Sequence, residues 1–297
     1  LSVSQAALAA ANRRGILCMA GAMSCFVVND AFVKYVSQTV PIAQMVFVRS
    51  IFVTLIIFAI ARATGATSRM ADAVRPRVLL RAVIDASATL LYLAALVHLP
   101  IANATAINLA APLFMTVFAV MFLREQVNLA RWLAILAGFA GVVLIIQPRA
   151  EGFNAWALAS LAATVLHATR DLLTRGIPQD IPSILITVAA TVSACVMSGI
   201  WTLSQGWHPF GGTELLLVAC AALFVSAGFY LIVASMRQGE MSVIGLFRYT
   251  GLLVALVLGF AIWGDIPNLL AWAGIVLMMA SGLYILLGER RRGRAGA

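Results

Sequence analysis

Apolar residues run along this chain in blocks of membrane-spanning length, broken by short polar turns. About 20 apolar residues cross a bilayer. Ten runs qualify: 15–36, 41–61, 78–97, 101–123, 131–147, 155–174, 182–203, 214–235, 242–263 and 269–287. The polar stretches between them are short, and none is long enough to hold a soluble domain. The first run is too long for the apolar core of a signal peptide, carries Asp30 and Lys34, and is followed by no small-residue cleavage site; it reads as a retained span.

The pattern is written twice. Glu125, Asn128, Leu129, Trp132, Ile135, Ala140 and Ile145 recur, at a shift of 140, as Asp265, Asn268, Leu269, Trp272, Ile275, Ala280 and Ile285. Upstream, Asp30, Lys34 and Pro41 recur at a shift of 141 as Asp171, Arg175 and Pro182. A fixed-period echo that includes polar residues defines an internal repeat. Residues 13–148 form the first copy and 153–289 the second, within a single membrane domain over 1–297. Five spans per copy is an odd number, so the second copy enters the bilayer from the opposite side. The expected fold is therefore an all-α integral membrane protein of ten transmembrane helices, arranged as two inverted five-helix repeats.

Composition agrees with this reading. The chain is 63% apolar and only 10% charged, with a mean hydropathy of +1.01, outside the range of soluble domains. The net charge of +9 is almost all arginine, and membrane topology accounts for it without nucleic acid. With the N-terminus in the cytoplasm, the cytoplasmic segments hold Arg13, Arg14, Arg62, Arg69, Arg75, Arg77, Arg124, Arg131, Arg175, Arg237 and the Arg290–Arg294 cluster. The other side keeps Arg149, with Lys34, the only lysine, near that surface. Both termini are thus expected in the cytoplasm. Cys18, Cys25, Cys195 and Cys220 lie inside apolar runs with no paired spacing, and the three histidines have no ligand spacing, so neither disulfides nor metal or other cofactors are expected. A hydrolase elbow, a His-rich metal motif and a catalytic acid pair are all missing from the sequence, so no catalytic residues are assigned.

Residues 79–148, with Pro112 inside the fourth span and Leu123-Arg124-Glu125 closing it, resemble the EamA family of the drug/metabolite transporter superfamily. Residues 229–288, with Phe247-Arg248-Tyr249 opening the ninth span, resemble it too. The resemblance implies movement of small organic solutes across a bacterial inner membrane. Amino-acid export is the first expectation. The alternative is uptake of a larger metabolite such as a vitamin or S-adenosylmethionine. The small multidrug exporters of that superfamily carry a glutamate in the middle of the first span. Here Ala22-Met23-Ser24-Cys25-Phe26 holds no acid, so proton-coupled drug antiport by that route is not expected.

Charges at bilayer depth are costly and require a partner or a role. At 1.5 Å per residue, Asp30 and Arg49 lie about 9 and 12 Å from the outer end of their spans. They are expected as a pair, either a fixed packing bridge or an external gate. From the cytoplasmic end, Asp85 and Arg248 lie about 10 Å deep, with Arg170 and Asp171 a little nearer the surface. Arg81 stands one helical turn before Asp85 and is expected to pair with it. A contact from Arg248 to Asp85 or Asp171 would instead join the halves.

Arg248 stands at the repeat register of Asn108. It is either a structural salt-bridge partner or the group that takes a substrate carboxylate through its planar fork. Tyr92, Asn103, Asn108, His167, Tyr230 and Tyr249 complete the substrate-binding expectation, beside Arg248 and Asp85. Asn108, Pro112 and Thr116 share a helix face, and Pro112 frees a backbone carbonyl there. Ala134, Gly138, Gly141, Gly274 and Ser281 form a small-residue stripe. It is compatible with a monomer, in which it joins the two halves, and with a dimer; ordinary packing is the leading reading.

Overall fold

The computed structural model describes residues 3–123, 128–147, 154–178, 180–236 and 244–295. Every regular element among them is helical. The helices are α1 (Val3–Val36), α2 (Ile42–Ala63), α3 (Pro76–Leu96), α4 (Ile101–Asn108), α5 (Ala111–Leu123), α6 (Leu129–Ile146), α7 (Ala155–Arg175), α8 (Ser183–Gln205), α9 (Gly212–Met236), α10 (Thr250–Leu258) and α11 (Leu269–Ala295). Among the described residues, seven stretches are long and apolar enough to cross a membrane: Ala11–Val36, Ile42–Ala63, Pro76–Leu96, Ile101–Phe122, Ser183–Gln205, Gly212–Ser235 and Leu246–Trp263. Trp132–Ile146 and Leu269–Ile285 are shorter apolar helices. The helix α7 occupies the sixth expected span, its last turns charged by Arg170, Asp171 and Arg175.

Prolines set the helix starts. Pro41, Pro100 and Pro182 each stand at the N-cap, and Pro76 begins α3, positions where the missing N–H costs no helical bond. Pro112 does the opposite and breaks the fourth span in two. Its ring cannot donate to the Asn108 carbonyl and would press on it. The chain therefore turns at Leu109–Ala110, where the Ala110 amide bonds the Ile107 carbonyl at 3.0 Å, and restarts at Ala111. The ninth span is also irregular, without any proline. It opens as a 3-10 turn over Gly245–Tyr249, continues as α10, and closes with a π turn over Gly259–Trp263. Gly264 ends it at φ +68°, a left-handed conformation that glycine adopts without strain.

The packing interleaves the two parts of the chain. The helix α1 lies on α9 and α10, α2 on α8, α3 on α7 and α8, α5 on α7, and α6 on α11. Lipid tails are as apolar as leucine, so these contacts rest on close fit and polar bonds rather than on escape from water. The α6–α11 contact shows the fit. A Cβ added to Gly141 would lie 2.7 Å from the Gly274 carbonyl oxygen, and one on Gly274 would meet the Gly141 carbonyl in return. The glycines of the expected stripe thus face one another inside a single chain. Leu55, Leu136, Ile200, Leu216, Leu223, Val257 and Val276 point outward and remain exposed, the surface that a hydrocarbon solvent covers.

Candidate functional site

Two polar clusters occupy the interior, joined by α3. On that helix Asp85 and Tyr92 are seven residues, two turns, apart and share a face. They stand about 10 Å apart along the axis.

The first cluster surrounds Asp30. The Tyr92 hydroxyl donates to one carboxylate oxygen at 2.9 Å, and the Asn29 side-chain amide donates to the other at 3.0 Å. Arg49 Nη1 donates to the Asn29 side-chain oxygen at 2.9 Å. Asn29, Asp30, Arg49 and Tyr92 are all buried. This corrects the expected direct pair. Asp30 and Arg49 do not reach ion-pair distance, because the Asn29 amide stands between them, accepting from one and donating to the other. Asn29 is a member of the cluster that the sequence pattern does not single out. Its one signal is a second polar residue beside Asp30 inside an apolar span.

The second cluster surrounds Asp85. Arg81 Nη1 lies 2.9 Å from one carboxylate oxygen, the expected one-turn pair. Arg170 Nη1, from α7, lies 2.7 Å from the other oxygen, and the same guanidinium holds Asp171 at 2.9 Å. Arg81 Nε reaches the Thr174 hydroxyl at 3.3 Å. The two parts of the chain are therefore joined here by Arg170, and not by the alternative contact from Arg248 to Asp85 or Asp171. Asp85 has both oxygens engaged by arginine, which occupies it structurally.

Between the clusters sits His167, buried on α7, with its ring centroid 6.2 Å from that of Tyr92. Its Nδ1 lies 2.8 Å from the Asn108 side-chain oxygen. An amide oxygen only accepts, so Nδ1 carries the proton in this pair. Asn108 is the last residue of α4, at the break made by Pro112. Thr164, one turn before His167, donates to the neighbouring Ile107 carbonyl at 3.3 Å and so ties α7 to the same break.

Arg248 lies in the 3-10 turn that opens the ninth span. It is half-buried, and among the described residues it makes no hydrogen bond or ion pair. Tyr249 beside it is buried, its hydroxyl without a partner and pressed toward Gly282 on α11. Asn103 is half-buried on α4 with its side-chain oxygen unpartnered. Tyr230 stands apart from the others. It is 67% exposed on α9 and joins neither cluster.

Three ties near the helix ends lie outside the sequence expectations. Lys34 donates to the Leu99 carbonyl, lies 3.8 Å from the Asp265 carboxylate and faces the Trp263 ring at 5.1 Å. Gln44 bonds both backbone groups of His208. Gln147 and Asn268 exchange side-chain amide bonds at 2.6 and 2.9 Å. At the opposite end Arg69 bridges Asp72 and Asp180, linking the 64–75 and 176–182 connections. No group of metal-binding side chains occurs among the described residues.

Comparison with known proteins gives these features a setting. The EamA-like transporter family matches residues 13–147 and again residues 154–287. The chain is 27% identical over 288 residues to the "Pseudopaline exporter CntI" of Pseudomonas aeruginosa, covering 95% of this chain and 98% of that one. It is 28% identical over 221 residues to a riboflavin transporter of Rhizobium johnstonii, covering 74% and 73%. It is 24% identical over 266 residues to an S-adenosylmethionine uptake transporter of Rickettsia felis, covering 89% of each. A solved crystal structure superimposes with a TM-score of 0.66 at 19% identity, over 93% of this chain and 98% of its own, a likeness of fold.

Proposed function

The chain belongs to the EamA-like transporter family, and from that premise we propose that it is a secondary carrier of small organic metabolites, working by alternating access in a bacterial inner membrane. On this reading the chain crosses the membrane ten times in two inverted five-helix repeats, the arrangement of many such carriers. The family matches each half separately. The interleaved packing of α1 with α9, α3 with α7, α2 with α8 and α6 with α11 suits a pseudo-two-fold arrangement. In such carriers the site lies at the repeat interface, where helices are interrupted. The fourth and ninth spans are both irregular at one register, around Asn108 and Arg248.

The observation that carries the substrate reading is Arg248, a half-buried guanidinium at span depth with no protein partner among the described residues. Its planar fork suits a carboxylate, so amino acids are the leading substrates, and the likeness to the pseudopaline exporter favours export as the leading direction. Uptake of a larger solute is the second reading, favoured by the likeness to riboflavin and S-adenosylmethionine carriers. Asn108, His167, Tyr92 and Tyr249 would line or support the same site.

Purified protein in liposomes, offered a panel of amino acids, vitamins and nucleoside derivatives with and without imposed ion gradients, tests both readings. Arg248→Lys keeps the charge and loses the fork. It is expected to fold and to lose about tenfold in transport of carboxylate solutes, the size of one charge-assisted bond. Normal transport of every carboxylate by Arg248→Lys overturns the anchor. Cytoplasmic termini follow from the arginine pattern. Impermeant thiol reagents added outside cells should label Gly211→Cys and spare Arg69→Cys; the reverse pattern overturns that orientation.

A further inference from the structure

Arg49 is a buried cation in the middle of α2, 6% exposed, about 12 Å from the nearer end of its span. The other buried or half-buried cations of the interior divide clearly. Arg81, Arg170 and Lys34 each have a carboxylate at ion-pair distance. Arg248 is partnerless but only half-buried. Arg49 is both deeply buried and without a carboxylate at that distance. Its hydrogen bond among the described residues runs from Nη1 to the Asn29 side-chain oxygen. Its Nε is shut off from the surface and has no partner.

An unpaired N–H on a buried guanidinium is expensive, since a charge in hydrocarbon needs its donors satisfied. Guanidinium geometry says what would satisfy it. Nη1 lies on the end of the fork, and the Asn29 amide occupies it. Nε and Nη2 form the side edge, two parallel donors spaced for the two oxygens of a carboxylate. Asp30 does not fill that edge. Its own oxygens are taken by Asn29 and Tyr92, and Asn29 separates the two charges.

We propose that Arg49 is a second anion-binding station of the transport path, taking a carboxylate of the solute on its side edge. The proposal rests on the carrier reading. Arg248 lies about 10 Å from the opposite end of its span, so in a 30 Å hydrocarbon core the two guanidinium groups differ in depth by about 8 Å. A carboxylate leaving Arg248 thus meets a second fork further along. Asp30 keeps Arg49 electrically balanced while the station is empty. Asn29 and Tyr92 hold Asp30 turned away from the arriving anion.

The test uses the full chain in liposomes, with radiolabelled amino acids and short dicarboxylates set against their carboxamides. Two variants are compared, Arg49→Gln and Arg49→Lys; the second preserves the balance with Asp30 and removes only the fork. The expected result is a rise of about tenfold in the half-saturating concentration of the acids in both variants, with carboxamide flux unchanged. If the wild type moves the acids and both variants move them equally well, Arg49 is not a station and the carrier reading stands. If the wild type moves none of the panel, the carrier reading fails for these solutes and the station fails with it. If both variants fail to fold by gel filtration, the role of Arg49 is structural. Restored acid transport on adding Asp30→Asn to Arg49→Gln would likewise make Arg49 a structural residue.

Discussion

The clusters around Asp30 and around Asp85 solve one problem in two ways. Each must carry charge inside a bundle. Around Asp85 the charges touch: two arginines grip one carboxylate, and Arg170 holds Asp171 as well. Around Asp30 nothing of opposite charge touches. Neutral donors, an amide and a phenol, take both oxygens. The repeat sharpens the contrast, because Asn29-Asp30 and Arg170-Asp171 hold the same register. One substitution within the pattern, asparagine for arginine, turns an ion-paired aspartate into one bonded only to neutral groups. The cluster of touching charges joins α3 to α7, across the two halves of the chain. The insulated cluster joins α1, α2 and α3, all in the first half, and leaves Arg49 with a donor unspent. The first arrangement suits a fixed tie. The second suits groups that exchange partners.

The comparison breaks most readily at Asp85. Replacing it with alanine strands Arg81 and Arg170, and breaking one side of a buried pair costs about 3–5 kcal/mol. Thermal melting of the purified protein in detergent is expected to show the largest loss of any single substitution here. A loss no greater than that of Tyr92→Phe would remove the distinction between the clusters.

A smaller effect is expected from Gly141→Ala. The new Cβ would stand 2.7 Å from the Gly274 carbonyl and 2.8 Å from the Met278 amide, both backbone atoms that cannot swing away. Overpacking of this kind costs about 1–3 kcal/mol. The same melting assay checks it, with Gly65→Ala as the contrasting site, where open space surrounds the backbone and only its φ of +72° is strained.

Tyr92→Phe removes one neutral donor from Asp30 and is expected to cost about 1 kcal/mol. Double-mutant cycles then sharpen the contrast. Asp30→Asn with Arg49→Gln should show less coupling than Asp85→Asn with Arg170→Gln, because Asn29 intervenes in the first pair. Equal coupling energies would mean that the amide relay transmits the full interaction.

The smallest effect belongs to the exposed tie at the helix ends. Arg69→Ala removes an exposed guanidinium from Asp180, which is also exposed, and from the buried Asp72, which keeps its bridge to Arg75 at 2.7 Å, so little is lost. Melting is expected to be unchanged at moderate salt, with any difference confined to low ionic strength.

Much of this is written in the chain itself. Helix positions follow from apolar run length, because a bilayer rewards about 20 apolar residues and excludes an unpaired backbone. Starts at Pro41, Pro76, Pro100 and Pro182 follow from the missing proline donor, and so does the break before Pro112. The Arg81–Asp85 pair follows from helical spacing alone. The small-residue stripe signals close approach, though not its partner.

What the tertiary structure decided is which side chains share a cluster. Spacing along one helix gives depth and face, but contact between helices depends on rotation and crossing, which no single segment encodes. Asp30 and Arg49 lie at similar depth, yet Asn29 fills the gap between them. Arg170 joins Arg81 on Asp85, and the alternative contact from Arg248 does not form, because α7 packs on α3. Tyr230 lies on the outer face of α9, a matter of helix rotation that a uniformly apolar sequence does not reveal. His167 finds Asn108 through the broken fourth span, and Lys34 finds Leu99 and Asp265 through loops that converge only in the fold. Local chemistry set where the helices begin and end; packing set which polar groups they bring together.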